Sequence, residues 1–114
     1  MTERTRFSVQ TLSVLAALCA EPAGWRHGYA IAKDTGLKSG SLYPILIRLA
    51  DRGLVEARWE EEQPAGRPRR HLYRLTAGGL AAAEAALAEQ NRLQRRRSAA
   101  VGRAGRRRVA GEGA

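Results

Sequence analysis

The stretch Thr35–Leu54, TGLKSGSLYPILIRLADRGL, reads as a turn, one helix bounded on both sides, and a stop. Gly36 can take the left-handed backbone that closes a preceding helix. Ser39 stands where a hydroxyl accepts from an otherwise unpaired N–H and caps the next helix. Leu42, Ile45, Leu46 and Leu49 recur at spacings of three and four and so share one face. Gly53 can end the helix, and Leu54 and Val55 lead into extended chain. The other face keeps Ser41, Tyr43, Ile47, Arg48 and Asp51 for solvent or a partner. A short helix held by its apolar side, with hydroxyls and an aromatic at its start, fits a DNA major groove. It is expected to be a recognition helix.

Upstream, Ser8 can cap a helix from Val9 to Ala20, stopped before Pro22. It is apolar on more than one side, so it needs more than one neighbour. A connection through Pro22 and Gly24 leads to a short helix at about His27 to Thr35, with Tyr29, Ile31 and Ala32 as core contacts. Cys19 is expected to act as a small buried hydrophobe.

Downstream, the period changes to two. Val55, Ala57 and Trp59 alternate with Glu56, Arg58 and Glu60, the pattern of a half-buried strand. Glu61 to Pro68 holds Pro64, Gly66 and Pro68 and must be a loop. Arg70 to Leu75 is the return strand, with His71, Tyr73 and Leu75 on one face. Helix, turn, helix, hairpin is the order of a winged helix. The class expected is mainly α with a small β-hairpin: a winged helix-turn-helix followed by a C-terminal dimerisation helix. Arg67, Arg69 and Arg70 on the loop suit phosphates or a narrow minor groove, although a solvated basic loop has the same composition. Glu60-Glu61-Glu62 would have to point away from the phosphates.

Thr76 can cap a last helix, Ala77 to Arg97, weakened at its first turn by Gly78 and Gly79, about 1 kcal/mol each relative to alanine. Leu80, Ala83 and Leu87 lie on one face. With Leu12 and Leu15 of the first helix they form the expected dimer seam, unless the helix folds back on its own domain. The segment from Ser98, rich in Gly and Arg, is expected to be disordered. The division is therefore residues 8–76 for the winged helix-turn-helix, 77–97 for the dimerisation helix and 98–114 for a basic tail.

Composition narrows the partner. The 114 residues carry a net charge of +9. From Arg92 onward eight arginines stand against Glu112 alone, so +7 of that charge lies in the tail and +2 before it. A polyanion is implied, but the tail alone does not identify a reading surface. The chain has one cysteine, which fits a reducing compartment, and no run apolar enough for a membrane span. No nucleophile with a base, carboxylate pair or metal cluster can be assembled, so neither an enzyme nor a metal or cofactor is expected.

His27-Gly28-Tyr29-Ala30-Ile31, Gly40-Ser41-Leu42-Tyr43-Pro44, Gly53-Leu54-Val55-Glu56 with Trp59-Glu60, and Gly66-Arg67-Pro68-Arg69-Arg70-His71-Leu72-Tyr73-Arg74-Leu75-Thr76 follow in order. Together they resemble the PadR family of bacterial transcriptional regulators over about Val9 to Leu87, in its small form with one C-terminal helix. The resemblance implies a homodimeric repressor on a pseudo-palindromic operator, cytoplasmic and nucleoid-associated, with a small-molecule effector of unknown identity. The DNA contacts expected are Lys38, Ser39, Ser41, Tyr43, Pro44 and Arg48 on the helix and Arg67, Arg69 and Arg70 on the wing. Ala30 and Ile47 depart from the acid and the polar residue common in the family. The last helix has no aromatic, so the aromatic drug clamp of some small members is not implied. The alternatives are a non-specific nucleic-acid binder driven by the tail, or a winged-helix protein-interaction module.

Overall fold

The computed structural model describes residues 7–61, 66 and 69–113, with 103–113 described by their backbone alone. The elements are α1 (Val9–Cys19), β1 (Arg26–His27), α2 (Gly28–Thr35), α3 (Ser39–Asp51), β2 (Val55–Trp59), β3 (His71–Leu75) and α4 (Ala77–Gly113). The Ser8 hydroxyl caps α1, accepting from the Thr11 N–H at 3.1 Å. Gly36, at φ 74°, closes α2 by donating its N–H to the Ala32 carbonyl.

The start of α3 differs from expectation. Lys38, not Ser39, is the capping residue, and no side chain caps the helix there. The cause is backbone register. The Lys38 carbonyl already accepts from the N–H groups of Ser41 and Leu42 at 2.9 Å, so Ser39 is the first helical residue. At the other end Gly53 (φ 73°) and Leu54 donate to the carbonyls of Ala50 and Leu49. These crossed bonds satisfy the last carbonyls and turn the chain sharply into β2.

The hairpin belongs to a three-stranded antiparallel sheet of order β1-β3-β2. Val55 pairs with Leu75, Ala57 with Tyr73 and Trp59 with His71, while Arg26 pairs with Tyr73 and His27 with Leu72 on the other edge of β3. The expected inward face is buried only at its base, at Val55, Tyr73 and Leu75. Ala57, Trp59 and His71 are exposed because the hairpin extends beyond the helices. Trp25 covers the outer side of the sheet. The guanidiniums of Arg58 and Arg74 each lie 4.3 Å from its ring centroid, and Arg74 donates to Glu56. Such stacking uses the ring's negative face.

One core joins these parts: Val14, Leu15, Ala17 and Leu18 of α1, Ile31 of α2, the α3 stripe of Leu42, Ile45, Leu46 and Leu49, then Val55, Tyr73, Leu75 and Ala83. Two of the five residues assigned to a dimer seam are thereby corrected. Leu15 and Ala83 are closed inside the monomer, where α4 packs on α1, and have no surface for a second chain. Leu12, Leu80 and Leu87 remain partly exposed.

Thr76 anchors α4. Its hydroxyl accepts from the Gly79 N–H at 2.9 Å and donates to the Gly53 carbonyl at 2.7 Å. α4 also runs to Gly113, past the expected stop at Arg97 and through the segment expected to be disordered. Alanine favours this continuation, whereas the four glycines of residues 98–114 oppose it. Among the described residues no helix is long and apolar enough to cross a membrane, and no group of His, Cys, Asp or Glu is placed to hold a metal.

Burial pushes the Tyr73 phenol above its ordinary value of 10.0, aided by nearby Tyr43, and burial and then Glu84 push the Cys19 thiol above 9.0. Both groups stay protonated longer in the folded chain than in the unfolded one. Their contribution is complete below the unfolded values and is lost as pH rises through the folded ones. Urea unfolding should show stability falling from about pH 9 upward, and Tyr73→Phe should flatten the part of the fall above about pH 10. An unchanged pH profile in that variant would refute the assignment.

Candidate nucleic-acid interface

Four leucine and isoleucine side chains anchor α3 by one stripe, which fixes what its other side presents. Lys38, Ser39, Gly40, Ser41, Tyr43, Pro44, Ile47 and Arg48 are all exposed. Pro44 lies inside the helix and has no N–H, so the Gly40 carbonyl lacks its usual donor on this open side. Ile47 is 60 % exposed, an apolar contact point in the middle of the surface.

Tyr43, 39 % exposed, is held at one edge. Its hydroxyl and ring lie against Gly28 so closely that a Cβ there would sit 2.6 Å from the hydroxyl oxygen. The Gly28-Tyr29 and Tyr43-Pro44 pairs of the sequence therefore form a single packing unit. Gly28 leaves the room that lets the tyrosine lie across the start of α2.

Beyond Tyr43 a groove of about 570 Å³ separates the helices from the hairpin, lined by His27, Gly28, Tyr29, Tyr43, Arg69, Arg70 and His71. The α3 edge and two of the arginines expected on the wing thus meet on one surface. Arg67 lies outside the described residues. Arg48 stands on the opposite edge of α3, beside Phe7, Ser8, Thr11 and Arg52 around a smaller hollow. The helix residues accordingly form an arc, with Tyr43 and Arg48 at its two ends.

Sequence reasoning missed four members of the groove: His27, Gly28, Tyr29 and His71. Tyr29 is 73 % exposed rather than a core contact. Of the expected contacts, Ile31 is closed in the core and Ala32 packs against it from a partly buried position. His71 stacks on Trp59 with ring centroids 3.8 Å apart, a cross-strand pair that stiffens the hairpin. The period-two pattern held a signal for His71, since it shares a face with Tyr73; nothing local marked Tyr29.

The acidic run is partly accounted for. Glu60 folds back on the hairpin, where its carboxylate accepts from the Arg70 N–H at 3.1 Å and approaches His27 Nε2 at 3.7 Å. Its carboxylate is thus taken up by two residues, His27 and Arg70, that also line the groove. His27 Nδ1 is buried with no hydrogen-bond partner among the described residues.

An exposed helix edge carried by a helix-turn-helix, joined to an arginine-bearing hairpin, defines a winged-helix DNA-binding protein. The description "Transcriptional regulator PadR-like family" matches residues 14–85, and the chain belongs to that family, whose members are DNA-binding regulators and not enzymes. Among solved structures, a PadR family transcription regulator from Clostridium difficile is 24 % identical, with a TM-score of 0.69 over 82 % of this chain and 99 % of that one. A PadR-like transcription factor from Bacteroides fragilis is 20 % identical, with a TM-score of 0.62 over 77 % and 85 %. The PcaV transcriptional regulator of Streptomyces coelicolor, solved with its natural ligand, is 27 % identical, with a TM-score of 0.62 over 96 % and 77 %. A comparison with curated proteins finds no match.

Proposed function

We propose that the chain is a sequence-specific repressor that binds a pseudo-palindromic operator as a homodimer. The observation that carries this reading is the meeting of the exposed α3 edge with Arg69 and Arg70 on one groove. Ser41, Tyr43, Pro44 and Ile47 are set to meet base edges, with Lys38, Ser39 and Arg48 at the flanking phosphates. Arg69 and Arg70, joined by Arg67, hold the backbone beside them. In a symmetric dimer the two recognition helices enter major grooves ~34–36 Å apart or a multiple of that. Leu12, Leu80 and Leu87, which the monomer leaves partly exposed, are the residues offered to the partner. In this reading residues 8–76 read DNA and 77–97 pair the subunits.

Repression then follows from occupying promoter DNA. Release requires an effector that binds better to a dimer whose half-site spacing no longer fits. PcaV, solved with a ligand, supports a small-molecule effector.

The test is selection of bound duplexes from a random pool, with a mass measurement in solution. One enriched, two-fold symmetric motif and a dimeric mass are expected; a pool with no enriched motif would refute the reading. On the selected duplex Tyr43→Ala should lower the operator-to-random affinity ratio about 5- to 150-fold, the range of one base contact worth ~1–3 kcal/mol. An unchanged ratio would mean that Tyr43 only packs on Gly28.

A further inference from the structure

The far half of α4 carries a charge pattern that the operator reading does not use. At 100° per residue, positions 92, 95, 96, 103, 106 and 107 fall within an arc of about 120° on the helix, and all six are arginine. Ala83, by which α4 packs on its own domain, and the partly exposed Leu80 and Leu87 cluster on the other side of the same wheel. Arg92, Arg95 and Arg96 are exposed. Arg92 pairs with Glu89, but no Asp or Glu occurs between Glu89 and Glu112. Arg92 with Arg96 and Arg103 with Arg107 are like charges four apart, which weaken an isolated helix. Such a helix is stabilised by an external anion that spans the row.

We propose that this one-sided arginine row is a second, sequence-independent binding surface for the phosphate backbone of duplex DNA. The row is ~22 Å long, and over that distance a duplex presents about a dozen phosphates. Guanidinium groups suit phosphate oxygens by their planar, forked donors. The proposal rests on the DNA-binding reading for its partner, not on the operator contacts of α3. The phosphates come from the flanks of the bound operator or from a second duplex.

The test replaces Arg95, Arg96, Arg103 and Arg107 with glutamine, which preserves helix propensity. Affinity is measured over a salt series for the selected operator and for a random duplex of ~40 base pairs. The slope of log affinity against log salt should fall by about 2–4, with a loss of about 10- to 100-fold at ~0.1 M salt for both duplexes. The ratio between the two should not change. Arg97→Gln with Arg108→Gln, off the row, should cost less per arginine. An unaltered slope, or an equal loss per arginine from the off-row pair, overturns the proposal. If trimming the operator flanks abolishes the difference, the row uses the same duplex. If the parent but not the variant retains a second labelled duplex, the row bridges two. Absence of any sequence preference in the parent would instead refute the operator reading and leave the slope result standing.

Discussion

Gly79→Ala should destabilise the fold by about 3 kcal/mol or more, although helix propensity alone favours alanine by about 1 kcal/mol. The sign is reversed because Gly79 is buried against the turn that follows α3. A Cβ built there lands on the Leu54 carbonyl oxygen, which is rigid backbone. The same carbonyl accepts from the Thr76 N–H at 3.0 Å, so it cannot withdraw without breaking the junction between sheet and α4. Forcing a methyl into a closed contact ordinarily costs about 1–3 kcal/mol, occasionally more, and a backbone obstacle belongs at the upper end. For a chain this size the melting temperature should fall by roughly 10–20 °C. Gly78→Ala next to it meets only the Thr76 hydroxyl at 4.0 Å and should be neutral or stabilising. Equal effects at the two glycines would refute the close-approach account.

Leu15→Ala should cost about 2–5 kcal/mol of monomer stability, the range for truncating a buried leucine, where lost transfer energy adds to the cavity left behind. Leu12→Ala, three residues earlier and partly exposed, should cost much less in the monomer and act on the proposed dimer instead. Denaturant unfolding at several protein concentrations separates the two. For Leu15→Ala the midpoint drop should persist at every concentration, whereas for Leu12→Ala the concentration dependence itself should weaken. The reverse assignment would place Leu15 at the subunit contact and contradict its burial.

The parts of the fold legible in the sequence are those whose signal is local. The α3 stripe repeats over two turns, the period-two pattern marks the hairpin, and the glycines at 36 and 53 have the positive φ their positions require. Other features depend on contacts between distant segments. A two-residue strand such as β1 has no period to read. The role of Gly79 depends on Leu54, and the closure of Leu15 and Ala83 depends on how α1 and α4 meet. The groove was half legible. Tyr43, Arg69 and Arg70 stood out by chemistry and place, but Tyr29 carried the pattern of a core residue, although α2 buries Gly28 and Ile31 and leaves Tyr29 exposed. Residues 98–114 hold as many glycines as arginines, four of each, so composition does not decide between a helix and an open tail there.

The two short rungs between Arg26-His27 and Leu72-Tyr73 tie the hairpin directly to His27, the residue just before α2. Wing and helix-turn-helix are therefore one lever, not two independently hinged arms. A push that tilts α2 will swing the arginine flap in the same stroke, and a flap seated on a duplex will resist that tilt in return.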